Sequence, residues 1–143
     1  MFRNALIILA CAVLFLSYCG EKKSTTKTFP TLTVEEIEAL KKKVQALPNE
    51  PVTENEKAVI ETNMGTIEFD FFPHAAPNHC ANFKKLANAG FYDGVTFHRV
   101  VPGFVIQGGD ILTRDDNPAN DGTGDAGYKL DAEFSDIHHD RGI

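Results

Sequence analysis

The residues of this 143-residue chain that could do chemistry fall into a few groups. The acidic loop at residues 115–125 invites a calcium reading. An EF-hand register beginning at Asn117 sets Asp121-Gly122 correctly, but it puts Ala119 third and Tyr128 twelfth, where oxygen ligands are needed. That register is rejected. His74, His79 and Cys80, with His138 and His139, invite zinc. Their spacing offers no ligand pair on one helix face with a distant second pair, so they read as surface histidines, and no metal or cofactor is expected. Neither a Gly-x-Ser-x-Gly turn nor a phosphate-cradling glycine loop occurs. Cys80 reads as a buried helix residue rather than a nucleophile. What remains is the stretch 91–110, which sets Arg99, Phe104 and Gln107 close together on two short apolar runs. By pattern alone Arg99 is a charge closing a strand, Phe104 a core aromatic and Gln107 a polar strand residue.

The elements that must position these residues follow from periodicity. Residues 59–62 and 66–72 read as a hairpin around Asn63-Met64-Gly65. Ile67, Phe69 and Phe71 share one face, expected to be buried, and Glu68 and Asp70 share the other. A helix is predicted over residues 76–89, with Pro77 in its first turn and Gly90 just past its end. Cys80, Phe83, Leu86 and Ala87 form its core-facing stripe. Strands at 95–99 and 104–108 follow, joined by Val100-Val101-Pro102-Gly103. His98, adjacent to Arg99, points to the opposite strand face and reads as structural. Residues 112–127 are loop-like, with four Asp, two Asn, three Gly and one Pro.

The continuous run Phe91-Tyr92-Asp93-Gly94-Val95-Thr96-Phe97-His98-Arg99-Val100-Val101-Pro102-Gly103-Phe104-Val105-Ile106-Gln107-Gly108-Gly109-Asp110 resembles the signature stretch of the cyclophilin family. The upstream Met64-Gly65-Thr66-Ile67, the Ala76-Pro77 helix with Asn82-Phe83, and the downstream Gly122-Thr123-Gly124 and Glu133-Phe134 fall in the family's order. The resemblance covers residues 58–143. It implies a mainly β fold with helices, an antiparallel barrel, and peptidyl-prolyl cis–trans isomerisation of proline-containing polypeptides. Such a reaction needs neither nucleophile nor metal. The peptide bond resists rotation by about 18–20 kcal/mol through lone-pair delocalisation, and X–Pro exchange takes roughly tens to hundreds of seconds uncatalysed. The resemblance makes Arg99 the catalytic arginine, whose fixed fork of donors suits a developing nitrogen lone pair. It makes Phe104 the floor of the proline pocket and Val105 a wall residue, smaller than the family's common Met. Gln107 then binds the substrate backbone and orients Arg99, and Gly122 with Thr123 form a loop beside the pocket.

The rest of the chain sets the context. An apolar share of 43% with 24% charged residues is that of a globular protein, and a net charge of −6 argues against a nucleic-acid partner. Arg3 followed by an apolar run at residues 5–16 reads as an export signal, too short for the ~30 Å hydrocarbon core. Leu16-Ser17-Tyr18-Cys19 resembles a lipoprotein signal, although Tyr18 departs from its small-residue preference. The expected division is a signal at 1–18, lipidation at Cys19, and a tether at 19–57 that contains a short amphipathic helix. Within that tether Thr33-Val34-Glu35-Glu36 has capping-box spacing, with Ile37, Leu40 and Val44 as the apolar stripe. The localisation that follows is exported and membrane-anchored, facing a periplasm or the cell exterior. The domain at 58–143 stops at Arg141-Gly142-Ile143, where the family continues into a core strand, so the barrel is expected to be incomplete at its C-terminus. The rival reading is a non-catalytic proline-peptide binding module or an inactive truncated fragment.

Overall fold

The computed structural model describes residues 28–138 and 140–142. The signal, Cys19 and His139 lie outside them. Helix α1 spans Val34–Ala46 and opens as its spacing predicts. Thr33 Oγ1 accepts from the Glu36 amide at 3.3 Å, and the Glu36 carboxylate accepts from the Thr33 amide at 2.8 Å. Ile37 and Val44, one face of the helix, are 2% and 0% exposed. They pack with Leu86, Ala89, Phe91 and Ile111 in one apolar cluster. No helix among the described residues is long and apolar enough to cross a membrane.

Strands β1 (Lys57–Thr62) and β2 (Gly65–Asp70) pair antiparallel with Ala58 opposite Phe69 and Ile60 opposite Ile67. The Thr62 hydroxyl donates to the Gly65 carbonyl at 2.7 Å and accepts from the Met64 amide at 3.0 Å, which fixes the turn. The face expected to be buried is only partly so: Phe69 and Phe71 are half-buried, while Ile67 remains exposed. The cover comes from one end alone, where Phe83 meets Phe69 and Phe71 edge-on at centroid distances of 5.3 and 5.7 Å. Phe83 in turn packs on Tyr92 at 5.2 Å. Burial there, with Tyr128 nearby, raises the Tyr92 phenol to about 12.

Helix α2 spans Pro77–Asn88. Pro77 enters at the first turn, where a missing N–H is harmless. At the far end Gly90, at φ +77°, donates to the Ala87 carbonyl, and Phe91 donates to the Leu86 carbonyl, each at 3.0 Å. That pair of bonds is a Schellman motif, and its usual apolar contact is present because Leu86 and Phe91 share the core cluster. Cys80 and Leu86 are buried as expected, but Ala87 is exposed, lying one position off the stripe.

The N-terminal end of α2 lacks a side-chain cap from Ala76, and Glu133 supplies one from far along the chain. Its carboxylate accepts from the amides of Asn78 and His79, each at 3.0 Å, from Asn78 Nδ2 at 2.7 Å, and meets His79 Nδ1 at 2.6 Å. Partial burial pushes this carboxyl up, but the bonds from His79 and Asn78 outweigh it and hold the group at about 2 against an ordinary 4.5. A depressed folded value means stabilisation present above pH 4.5 and lost as pH falls through 2. Thermal unfolding of the wild-type chain should therefore drop over that window. Glu133→Gln should show a shallower acid drop and a lower midpoint at neutral pH, and parallel profiles would contradict this role. Further along α2, Lys84 Nζ lies 2.7 Å from Glu56 and donates to the Pro51 carbonyl at 3.2 Å, tying the segment before β1 to the helix.

Strands β3 (Arg99–Val101) and β4 (Val105–Gln107) form a second antiparallel pair. The expected strand at 95–99 is not formed before Arg99. The Val95 amide turns back to the Tyr92 carbonyl, and the Thr96 amide is taken by Thr113 Oγ1 at 3.1 Å, so neither is free for a ladder. β4 is likewise shorter than the 104–108 expected. Among the described residues the sheets are two separate two-stranded pairs, and no closed barrel is present. Short 3₁₀ turns at Ile111–Arg114 and Pro118–Asn120 organise the loop that follows.

Candidate functional site

The β3–β4 hairpin positions the chemistry-bearing side chains. Pro102 followed by Gly103, at φ +74°, has the residue order of a type II turn, and the Phe104 amide closes it on the Val101 carbonyl at 3.0 Å. The register sets Arg99 opposite Gln107 and Val101 opposite Val105, so these four share one face of the ladder. Arg99 Nη1 donates to Gln107 Oε1 at 3.4 Å, a long bond that orients the guanidinium while leaving its other donors available. Arg99 is exposed and, among the described residues, enters no salt bridge.

Phe104 stands at the turn with 78% of its surface exposed, an open apolar face rather than the core aromatic that pattern alone suggests. Val105 is half-buried beside it. On the reverse face of the hairpin Val100 and Ile106 are exposed. Two surface concavities among the described residues lie elsewhere, one lined by Leu47, Pro48 and Lys84, the other by Asn78, Leu130 and Glu133.

Gly122 and Thr123 sit on the loop after the first 3₁₀ turn. The Thr123 hydroxyl donates to the Asn120 carbonyl at 2.6 Å, and its amide donates to the same oxygen at 3.2 Å. A Cβ on Gly122 would meet the His98 ring at 3.5 Å, so the loop rests on the residue next to Arg99. His98 is half-buried, and its Nδ1 has no hydrogen-bond partner among the described residues.

The sequence reading passed over Asp110. It is 4% exposed, accepts from the Leu112 amide at 2.8 Å and also from the Gly122 amide. This one carboxylate therefore holds the loop carrying Gly122 to the end of the hairpin. An Asp directly after Gly108-Gly109, two residues before an apolar position, carries the local Asx-turn signal that could have found it. The bond to Gly122 has no such local signature.

The arrangement offers an oriented cationic donor fork and an exposed aromatic face on one hairpin, with a polar loop packed against the residue next to Arg99. It contains no nucleophile or acid–base pair among these residues, and it suits non-covalent recognition of a polypeptide.

Comparison with known proteins bears on this arrangement. The family model described as cyclophilin type peptidyl-prolyl cis-trans isomerase/CLD matches residues 57–143. A peptidyl-prolyl cis-trans isomerase of Synechococcus elongatus is 51% identical over 83 residues, covering 58% of this chain and 52% of that protein. Peptidyl-prolyl cis-trans isomerase B of Bacillus subtilis is 57% identical over 73 residues, 51% of this chain and 46% of that one. A peptidyl-prolyl cis-trans isomerase of Helicobacter pylori is 38% identical over 93 residues, 65% and 53% of the respective chains. No solved structure matches. The chain spans about half the length of the curated relatives it matches. With the family model covering more than half of its residues, the chain belongs to the cyclophilin-type peptidyl-prolyl cis–trans isomerases.

Proposed function

We propose that this chain acts as a peptidyl-prolyl cis–trans isomerase on proline-containing polypeptides, without covalent intermediate or cofactor. The observation that carries the reading is the pairing of Arg99 with Gln107 across the β3–β4 ladder, within the residues that match the family. In this mechanism the proline ring lies on Phe104 against Val105, where the apolar surface takes it from water. Arg99 donates toward the prolyl nitrogen as the bond twists and its lone pair localises. That donor strengthens in the transition state and so lowers the barrier rather than merely binding substrate. Gln107 holds the substrate backbone and the guanidinium together, and Gly122 and Thr123 accept the chain on the amino-terminal side of the proline.

The reading is tested by NMR exchange between the cis and trans forms of an Ala-Pro peptide, with and without the full chain. Exchange above the uncatalysed rate supports the enzyme. Peptide line-broadening or shifts at the uncatalysed exchange rate point instead to a proline-peptide binding module.

The substrates proposed are exported polypeptides, met at a membrane to which Cys19 is tethered by lipid. The apolar run at residues 5–16 and the Leu16-Ser17-Tyr18-Cys19 sequence support that setting. Cys19→Ala should release the protein from the membrane fraction to the soluble one on a blot. Unchanged membrane association would remove the lipid anchor from the proposal.

A further inference from the structure

The loop that carries Gly122 and Thr123 is held at both ends by residues N-terminal to the family-matched region. At its start the Leu32 amide donates to the Arg114 carbonyl at 2.8 Å. The Arg114 guanidinium returns the contact, donating to the Pro30 carbonyl at 3.1 Å and lying over the Phe29 ring at 6.0 Å. At its other end Gln45, in the last turn of α1, donates from Nε2 to the Ala126 carbonyl at 3.3 Å. Gly127, at φ +81°, makes that approach feasible, because a Cβ there would overlap Gln45 Nε2. Between these pins α1 is seated in the core by Ile37 and Val44, so it serves as a rigid bar rather than a loose strap.

Inside the loop the bonds are short-range. Asp115 accepts from the Asn117 amide at 2.7 Å and from Asn120 Nδ2 at 2.8 Å, and Asn120 holds Thr123. The loop is thus a small stiff unit, hydrogen-bonded to Asp110, the 30–32 stretch and Gln45, resting on His98 and packed on the core through Leu112 and Ala126.

We propose that residues 29–45 are a positioning element for the substrate loop, with Gln45 and Arg114 as its two pins, so that the geometry of Gly122 and Thr123 beside Arg99 is fixed from the N-terminal side of the chain. The inference rests on the assignment of Gly122 and Thr123 to the substrate site. It adds that a pull or displacement on the N-terminal segment reaches the site through two hydrogen-bonded contacts rather than through general unfolding.

The test compares the full chain with Gln45→Ala and Arg114→Met by amide hydrogen exchange. Gln45 is exposed, so its truncation leaves the core intact. Loss of the neutral Gln45 bond is worth about 0.5–1.5 kcal/mol, exchange roughly two- to tenfold faster, and loss of the charge-assisted Arg114 bond about 1.5–3 kcal/mol, roughly ten- to a hundredfold or more. That acceleration is expected at the Gly122, Thr123 and neighbouring loop amides, with the Leu86 amide in α2 unchanged. Arg114→Lys, which keeps a cationic donor toward Pro30, should restore much of the protection that Arg114→Met removes. Loop amides at wild-type rates in both truncations overturn the proposal. So does a uniform acceleration that includes Leu86, which marks a purely structural contact. Where the chain turns over peptide, the pins should appear as a raised KM with kcat kept. A wild-type chain without isomerase activity sinks the function proposed above while leaving the exchange comparison decisive for this one.

Discussion

Arg99→Ala is expected to lower isomerase turnover about a hundredfold or more, the scale seen when one preorganised donor to a developing charge is removed. At about 1.4 kcal/mol per tenfold, that is about 2.7 kcal/mol of transition-state stabilisation. Peptide affinity should change far less, because Phe104 and Val105 are untouched and the ground-state amide offers the guanidinium little. Arg99→Lys should not rescue the loss. A lysine is a point charge on a flexible stem, and it cannot both accept orientation from Gln107 at 3.4 Å and present a second donor in a fixed plane. The fold should survive both changes, since Arg99 is exposed and its side chain makes a single long bond among the described residues. The measurement is cis–trans exchange in the Ala-Pro peptide together with its dissociation constant. Equal losses in turnover and affinity would assign Arg99 to ground-state binding, and unchanged turnover would remove it from the mechanism.

The largest effect on stability is expected at Phe91. Its side chain is 1% exposed and stands where three parts of the chain meet: the Schellman end of α2, the Ile111 turn and the buried face of α1. Phe91→Ala deletes the ring from that junction and leaves a cavity that backbone hydrogen bonds on both sides prevent from collapsing, at a loss of about 3–5 kcal/mol. A domain of ordinary stability has about 5–15 kcal/mol in all, so the variant should sit at the edge of unfolding. Ile37→Ala, on the facing helix, should lose about 2–5 kcal/mol for the same reason. Urea unfolding followed by far-UV circular dichroism reads both. A loss under 1 kcal/mol at Phe91 would mean that this cluster is not the centre of the fold.

How much of this was legible in the sequence depended on how far each determinant reached along the chain. The α1 cap was readable because Thr33 and Glu36 are three residues apart, and α2 because Pro77 and Gly90 mark its ends by their own backbone limits. The β1–β2 hairpin was readable from alternation, but its exposure was not, because the cover over Ile67 depends on what packs from outside the strand. The start of β3 was misjudged by four residues for a similar reason: Thr113 takes the Thr96 amide from 17 positions away. Glu133 capping α2 from 55 positions away was equally hidden. At the site, the twenty-residue run identified the family and put Arg99, Phe104 and Gln107 in one hairpin. The openness of Phe104 and the role of Asp110 needed coordinates.

The attachment of α1 has a consequence for how the chain is made. Gln45 and Ala126 lie 81 residues apart, and Arg114 and Pro30 lie 84 apart. At roughly 5–20 residues per second, α1 leaves the ribosome about 4–17 seconds before these two contacts can form. Both hairpins and α2 close on contacts only a few residues apart and form in microseconds once synthesised. Until Leu86, Phe91 and Ile111 follow it out, the nascent chain carries the α1 segment with a bare apolar stripe ahead of small, weak local elements. It presents a target for a holdase during that interval.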